Sequence, residues 1–153
     1  MLDYSAILDG AERLLVERFP GAPVYRDRTP KDFARTSFLV TFDAIVMDES
    51  TPSLVQVEPV LMVTGFPSVD GYGNAASSDL LTVMASIQEL FADGVPVLVD
   101  DKDDRRVLHR GVITGQYEAD YVTVKIPLSY MDHRPQGEEW PLMGDVSLTI
   151  KTI

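Results

Sequence analysis

The chain contains no cysteine. Disulfides, thiol catalysis, iron–sulfur clusters and cysteine-ligated zinc are therefore excluded. Histidine is nearly absent too, with only His109 and His133. His109 stands between Arg106 and Arg110 in an extended stretch, and His133 stands in Asp132-His133-Arg134, so neither is placed for a metal site or a Ser–His–Asp triad. No G-x-S-x-G elbow is present. No apolar run approaches the roughly 20 residues needed to cross a bilayer. The start, Met1-Leu2-Asp3-Tyr4, carries an acidic residue and no basic one, so no secretory leader is expected. Positive charge is scarce: 13 basic residues face 24 acidic ones, a net charge of −11. Such a chain repels nucleic acid, whose affinity for proteins rests largely on phosphate neutralisation by Lys and Arg, and it repels anionic membranes. The charge serves solubility, and it also suits a wall that nucleic acid passes without sticking.

What is present is a chain of 153 residues, 45% of them hydrophobic. That length fits one domain, residues 1–153, and a domain of this size buries about 70% of the surface its unfolded chain exposes. Ile7, Leu8, Ala11, Leu14, Leu15 and Phe19 fall on one stripe at helical spacing, with Asp9, Glu12, Arg13 and Glu17 opposite. The spacing predicts a helix over 3–19, capped by Asp3 or Ser5 and stopped by Pro20-Gly21. Val24-Tyr25 begins a short strand. Strands are predicted over Ser37–Met47 and Leu54–Phe66, with Pro59 arguing for an edge position or a bulge in the latter. Leu80, Leu81, Met84, Ile87, Leu90 and Phe91 give a second helix over roughly 75–92, with Ser77 or Ser78 as cap and Gly94 just past its end. Val95–Val99 reads as a short strand, and Arg106–Gln116 and Asp120–Met131 as two long ones. In the last, Val122, Val124, Ile126, Leu128 and Tyr130 alternate with polar residues, the mark of a strand buried on one face. A Pro- and Gly-rich loop from Asp132 to Asp145 leads to a terminal strand over Val146–Ile150, so residues 132–153 read as a loop and terminal strand that either folds back on its own sheet or adds to a neighbour's as an interaction arm. The fold class is α+β: a mostly antiparallel β-sheet with two α-helices packed on one face.

Several motifs invite a sharper reading. Gly71-Tyr72-Gly73-Asn74-Ala75-Ala76 has the form G-x-G-x-x-A before a helix. The preceding strand ends at Phe66-Pro67, too early for the tight phosphate-binding turn, and no βαβ repeat surrounds it. Asp100, Asp101, Asp103 and Asp104 lack the central glycine and distal glutamate of a Ca²⁺ loop and read as a solvated turn. No catalytic residue, cofactor or metal follows from any of these. The candidates that remain are surfaces. Arg26, Arg28, Lys31 and Arg35 form a basic patch in an acidic protein, either solvated, in contact with the acidic turn Asp100–Asp104 of a neighbouring copy, or a weak nucleic-acid footprint of four charges without interleaved aromatics. Trp140, Leu142 and Met143 are of types enriched in interface centres, if Trp140 is not used to pin its own loop.

In the order of its elements the chain resembles the tail-terminator (tail-completion, neck) proteins of phages and prophages. The resemblance rests on the opening helix ending in Phe19-Pro20, on Val24-Tyr25 with the basic loop and Phe38-Leu39-Val40, on Gly65-Phe66-Pro67-Ser68 before the long helix, and on the ribbon Val107–Met131. It spans about residues 3–131. It implies a non-enzymatic structural virion protein that assembles with itself into a ring, usually a hexamer. Such a ring ends polymerisation of the tail tube, meets the tube protein on one side and the head-side connector protein on the other, and lets DNA pass its lumen unbound. It implies assembly in the cytoplasm of a bacterial host and a final place in the neck of the virion. The readings from other classes are a small-molecule-binding module with Ser68–Asn74 as its mouth, and another neck or head-completion component.

Overall fold

The computed structural model describes residues 2–99 and 105–133. The order is α1 (Tyr4–Arg18), β1 (Val24–Tyr25), β2 (Ser37–Glu49), β3 (Leu54–Phe66), α2 (Ser77–Leu90), β4 (Val95–Leu98), β5 (Arg105–Arg110), β6 (Thr114–Tyr117) and β7 (Val122–His133). The strands run β1-β2-β3-β7-β5-β4 across the sheet, with β6 also on β7. Every pairing is antiparallel except β1 with β2. This is the α+β architecture expected from the sequence.

The helix stripes and strand alternation meet in one core. Ile7, Ala11 and Leu15 of α1, and Leu80 and Ile87 of α2, pack on the alternating side chains Val122, Val124, Ile126 and Leu128 of β7 and on Val57, Leu61 and Val63 of β3. Both helices therefore cover the same face, and among the described residues no helix lies on the other face of the sheet. Asp3 caps α1, its Oδ1 accepting from the amide of Ser5 at 3.1 Å. The amide of Leu2 donates to Asp132 Oδ2 at 2.6 Å, which ties the start of the chain to the end of β7. Tyr130 is buried with the Arg106 guanidinium over its ring at 5.0 Å, and burial pushes its phenol up to about 12, so its ring serves packing and stays neutral.

Four local expectations need correction. The cap of α2 is Ala76, which offers no side-chain bond, in place of Ser77 or Ser78. The stretch expected as one strand over Arg106–Gln116 is two, β5 and β6. Both pair with β7, but the pairing slips by one residue across Gly111–Ile113, where the amide of Gly111 bonds the carbonyl of Pro127. The strand expected over Asp120–Met131 begins and ends two residues later. Pro59 does not mark an edge: β3 is central, between β2 and β7. The β3–β7 ladder is interrupted at Glu58 and Pro59, where proline has no N–H to donate, and resumes at Val60 in the same register. A bulge does occur nearby, but on β2, where Asp43 is the extra residue between Phe42 and Ala44.

Gly94 closes α2 at φ +88°, and an added Cβ there would stand 2.2 Å from the carbonyl oxygen of Leu108. Nothing lies within 4 Å of a Cβ at Gly71. Gly94→Ala is expected to cost about 3 kcal/mol in urea unfolding, from left-handed backbone and backbone collision together, and Gly71→Ala less than about 0.5 kcal/mol. Equal costs at the two sites would contradict this packing.

Candidate subunit interface

The basic segment between β1 and β2 divides into two inward and two outward charges. Arg26 leaves β1 beneath α1, where Asp9 and Glu12 share one helix face three residues apart. Its guanidinium donates to Asp9 Oδ1, and to Glu12 Oε1 from both Nε (2.9 Å) and Nη2 (2.7 Å). The hydrogen bond it donates to Asp9 raises its pKa above the ordinary arginine value, with partial burial opposing and Glu12 acting in the same sense as Asp9. Arg35 sits at the other end of the segment. Its Nη1 donates to the carbonyls of Asp120 (2.8 Å) and Pro67 (3.1 Å), and its Nη2 to Asp120 Oδ2 at 3.2 Å. The rings of Phe33 and Phe66 flank the same guanidinium at 5.0 and 5.5 Å. Arg35 thus pins the loop to the end of β3 and the approach to β7. Arg28 and Lys31 are exposed, and neither has a polar partner among the described residues.

The two inward charges differ in worth. The Arg26 side chain is 31% exposed and its partners more so, which screens the pair. Arg35 is 19% exposed and is held by two carbonyls, a carboxylate and two rings. The acidic residues Asp100, Asp101, Asp103 and Asp104, the residues Trp140, Leu142 and Met143, and the strand expected over Val146–Ile150 lie outside the described residues.

An open hollow of about 510 Å³ follows β1, lined by Val24, Tyr25, Arg26, Asp27, Arg28 and Pro30. The loop considered as a binding mouth, Ser68–Asn74, closes on itself. Asp70 Oδ1 accepts from the amides of Tyr72 (2.8 Å) and Asn74 (3.1 Å), and Gly73 takes φ +81°. Tyr72 at its tip is 91% exposed. The helix starts at Ser77, with ten residues between it and the last strand residue, Phe66, so the G-x-G-x-x-A stretch forms no strand-to-helix phosphate turn. His109 and His133 are both exposed, and no cluster of three metal-ligating side chains occurs among the described residues. No described helix is long and apolar enough to cross a membrane.

Sequence reasoning missed the long edge of β2. β1 pairs with β2 only at Phe38 and Leu39, and no other strand among the described residues pairs with that edge. From Val40 to Asp48 this leaves about 26 Å of strand without a strand partner on that side among the described residues, at ~3.3 Å per residue. Beyond Phe42 its residues are half-buried or exposed, with Val46 at 52% and Met47 at 47%. The alternation Phe38, Val40, Phe42 gave a strand, but the shortness of β1 beside it is a tertiary fact with no local signal.

No protein-family model matches the chain, and no curated protein matches it in sequence.

Arg35→Ala is expected to lower unfolding free energy by roughly 2–4 kcal/mol, since it strands Asp120 and two carbonyls, and Arg26→Ala by only about 1 kcal/mol. Chemical denaturation of the two variants side by side checks the ranking. A larger loss for Arg26→Ala would reverse the roles assigned to the two arginines.

Proposed function

We propose that this chain is a structural assembly protein that caps a phage or prophage tail tube as a homo-oligomeric ring and offers a surface for the head-side connector. The observation that carries the reading is the open edge of β2 with Val46 and Met47 exposed along it. Unpaired strand edges present rows of free N–H and C=O groups, and natural sheets blunt them with charged side chains, Pro, β-bulges, very short strands or a covering element. β2 has a bulge at Asp43 and acidic residues at Asp43, Asp48 and Glu49, but it carries neither Lys nor Pro, is 13 residues long and exposes Val46 and Met47 beyond the bulge. An edge kept in that state is suited to meet another polypeptide.

Three further features favour the reading. The order of helix, basic loop, long hairpin, second helix and β-ribbon agrees with the element order on which the resemblance rests. Two of the four basic-loop charges are spent on fixing the loop, which leaves Arg28 and Lys31 displayed on a rigid support. The net charge of −11 suits a ring through which DNA passes. The ring would have no catalytic role, and its specificity would lie in shape and charge.

Native mass spectrometry over a concentration series, at low and moderate salt, tests the reading. A closed oligomer near six copies is expected as concentration rises. A monomer at every concentration, or an open-ended ladder of sizes, would argue against a cap.

A further inference from the structure

We propose that the outer face of the β2–β3 hairpin of one copy seats in the basic hollow after β1 of a second copy, so that copies join head to tail. This rests on the ring reading above and names the contact that would build it.

The donor surface follows from register. Past the bulge at Asp43, Val46 pairs with Glu58 and Asp48 with Gln56. Residues paired across an antiparallel ladder share a face, and alternate residues along a strand share it too. Val46, Asp48, Gln56 and Glu58 therefore form one patch, apolar at Val46 and acidic at Asp48 and Glu58. No Lys or Arg occurs between Arg35 and Lys102, so neither strand of the hairpin supplies a cation to this patch. The one nearby ion pair, Lys125 with Asp43 at 3.4 Å, sits at the bulge and serves Asp43. The amide of Gln56 comes from the patch itself, its Nε2 donating to Glu58 Oε2 at 3.0 Å.

The acceptor surface has the opposite character. The hollow mixes Val24, Tyr25 and Pro30 with Arg26 and Arg28, and the exposed Lys31 comes next in the chain after Pro30. Asp27 also lines it, and it is outnumbered. Arg26 is already committed to Asp9 and Glu12. Arg28 and Lys31 are left to face a visitor.

One copy cannot satisfy both surfaces. The hollow is anchored where β1 pairs with Phe38 and Leu39. Asp48 lies nine residues further along β2, about 30 Å at the strand rise. Complementary patches far apart on one rigid chain make a heterologous contact, which forms a ring when the rotation between copies closes and an open filament when it does not. A two-fold contact of hairpin with hairpin would instead oppose Asp48 and Glu58 to their own kind.

Because the chain has no cysteine, crosslinking reads this contact directly. In the double variant Val46→Cys/Thr29→Cys, mild oxidation should give a ladder of disulfide-linked species that ends at the size of the native ring. Neither single variant should give more than background. Both positions lie outside the core, and thermal melting confirms folding. As a second line, Asp48→Lys/Glu58→Lys and Arg28→Glu/Lys31→Glu should each raise the dissociation constant of the oligomer by tenfold or more, and an equimolar mixture of the two should reassemble. If wild type assembles but no ladder forms and both charge-reversed variants assemble like wild type, this contact is wrong while the ring reading stands. A dimer from Val46→Cys alone would replace it with the two-fold arrangement. If wild type stays monomeric throughout, the ring reading falls and this contact falls with it.

Discussion

Strand β7 is the member on which the rest of the protein hangs. β3 pairs along one of its edges, and β5 and β6 divide the other. Its inward residues, Val122, Val124, Ile126, Leu128 and Tyr130, form the floor on which the helices lie. Its far end receives the amide of Leu2 through Asp132, and its near end, through Asp120, receives Arg35. The strict alternation of β7 has a consequence beyond stability. A strand that buries one side chain in two gives helices a single face to cover, and both helices take it. Function is left to the remaining surfaces: the outer face, the lateral edges and the loops at the two ends.

Those remaining surfaces differ in how firmly they are held. The loop after β1 is fixed twice, by Arg26 to α1 and by Arg35 to the sheet, although its sequence reads as mixed charge and turn formers. Basic residues that look alike in the chain thus do different work. Two are structural clasps and two are displayed. At the other end, the β2–β3 hairpin keeps an open edge with apolar groups on both faces. A rigid basic loop and an open acidic hairpin on one small subunit are the parts a head-to-tail assembly needs. The reading as a tail-tube cap rests on this pairing of surfaces together with the order of elements.

Much of the fold was legible because burial imposes periods. The stripe Ile7–Leu15 and the alternation in β7 marked a helix and a strand close to their observed bounds, as did Ser37 and Leu54–Phe66 for the hairpin. The misses share a cause. The break at Gly111–Ile113 is set by the register of β7 and by Pro127 opposite, neither of which is local to the break. Pro59 looked like an edge residue, because a proline in isolation gives no hint that its neighbour's ladder skips that position. The candidate site was legible only as a count of charges. That Arg26 would reach Asp9 and Glu12, and Arg35 would reach Asp120, depends on packing between segments 14 to 85 residues apart. The open edge of β2 depends on a strand, β1, ending after two residues.

The central claim is that the β2 hairpin is covered by another copy in the working protein. Amide hydrogen exchange of the full chain, read over Val40–Glu49 at concentrations below and above assembly, tests it most directly. The claim predicts slow exchange for this segment in the concentrated sample and fast exchange on dilution, while the central amides of β7 stay protected in both. Exchange over Val40–Glu49 that is equally fast at both concentrations, in a sample shown to be oligomeric, would contradict it.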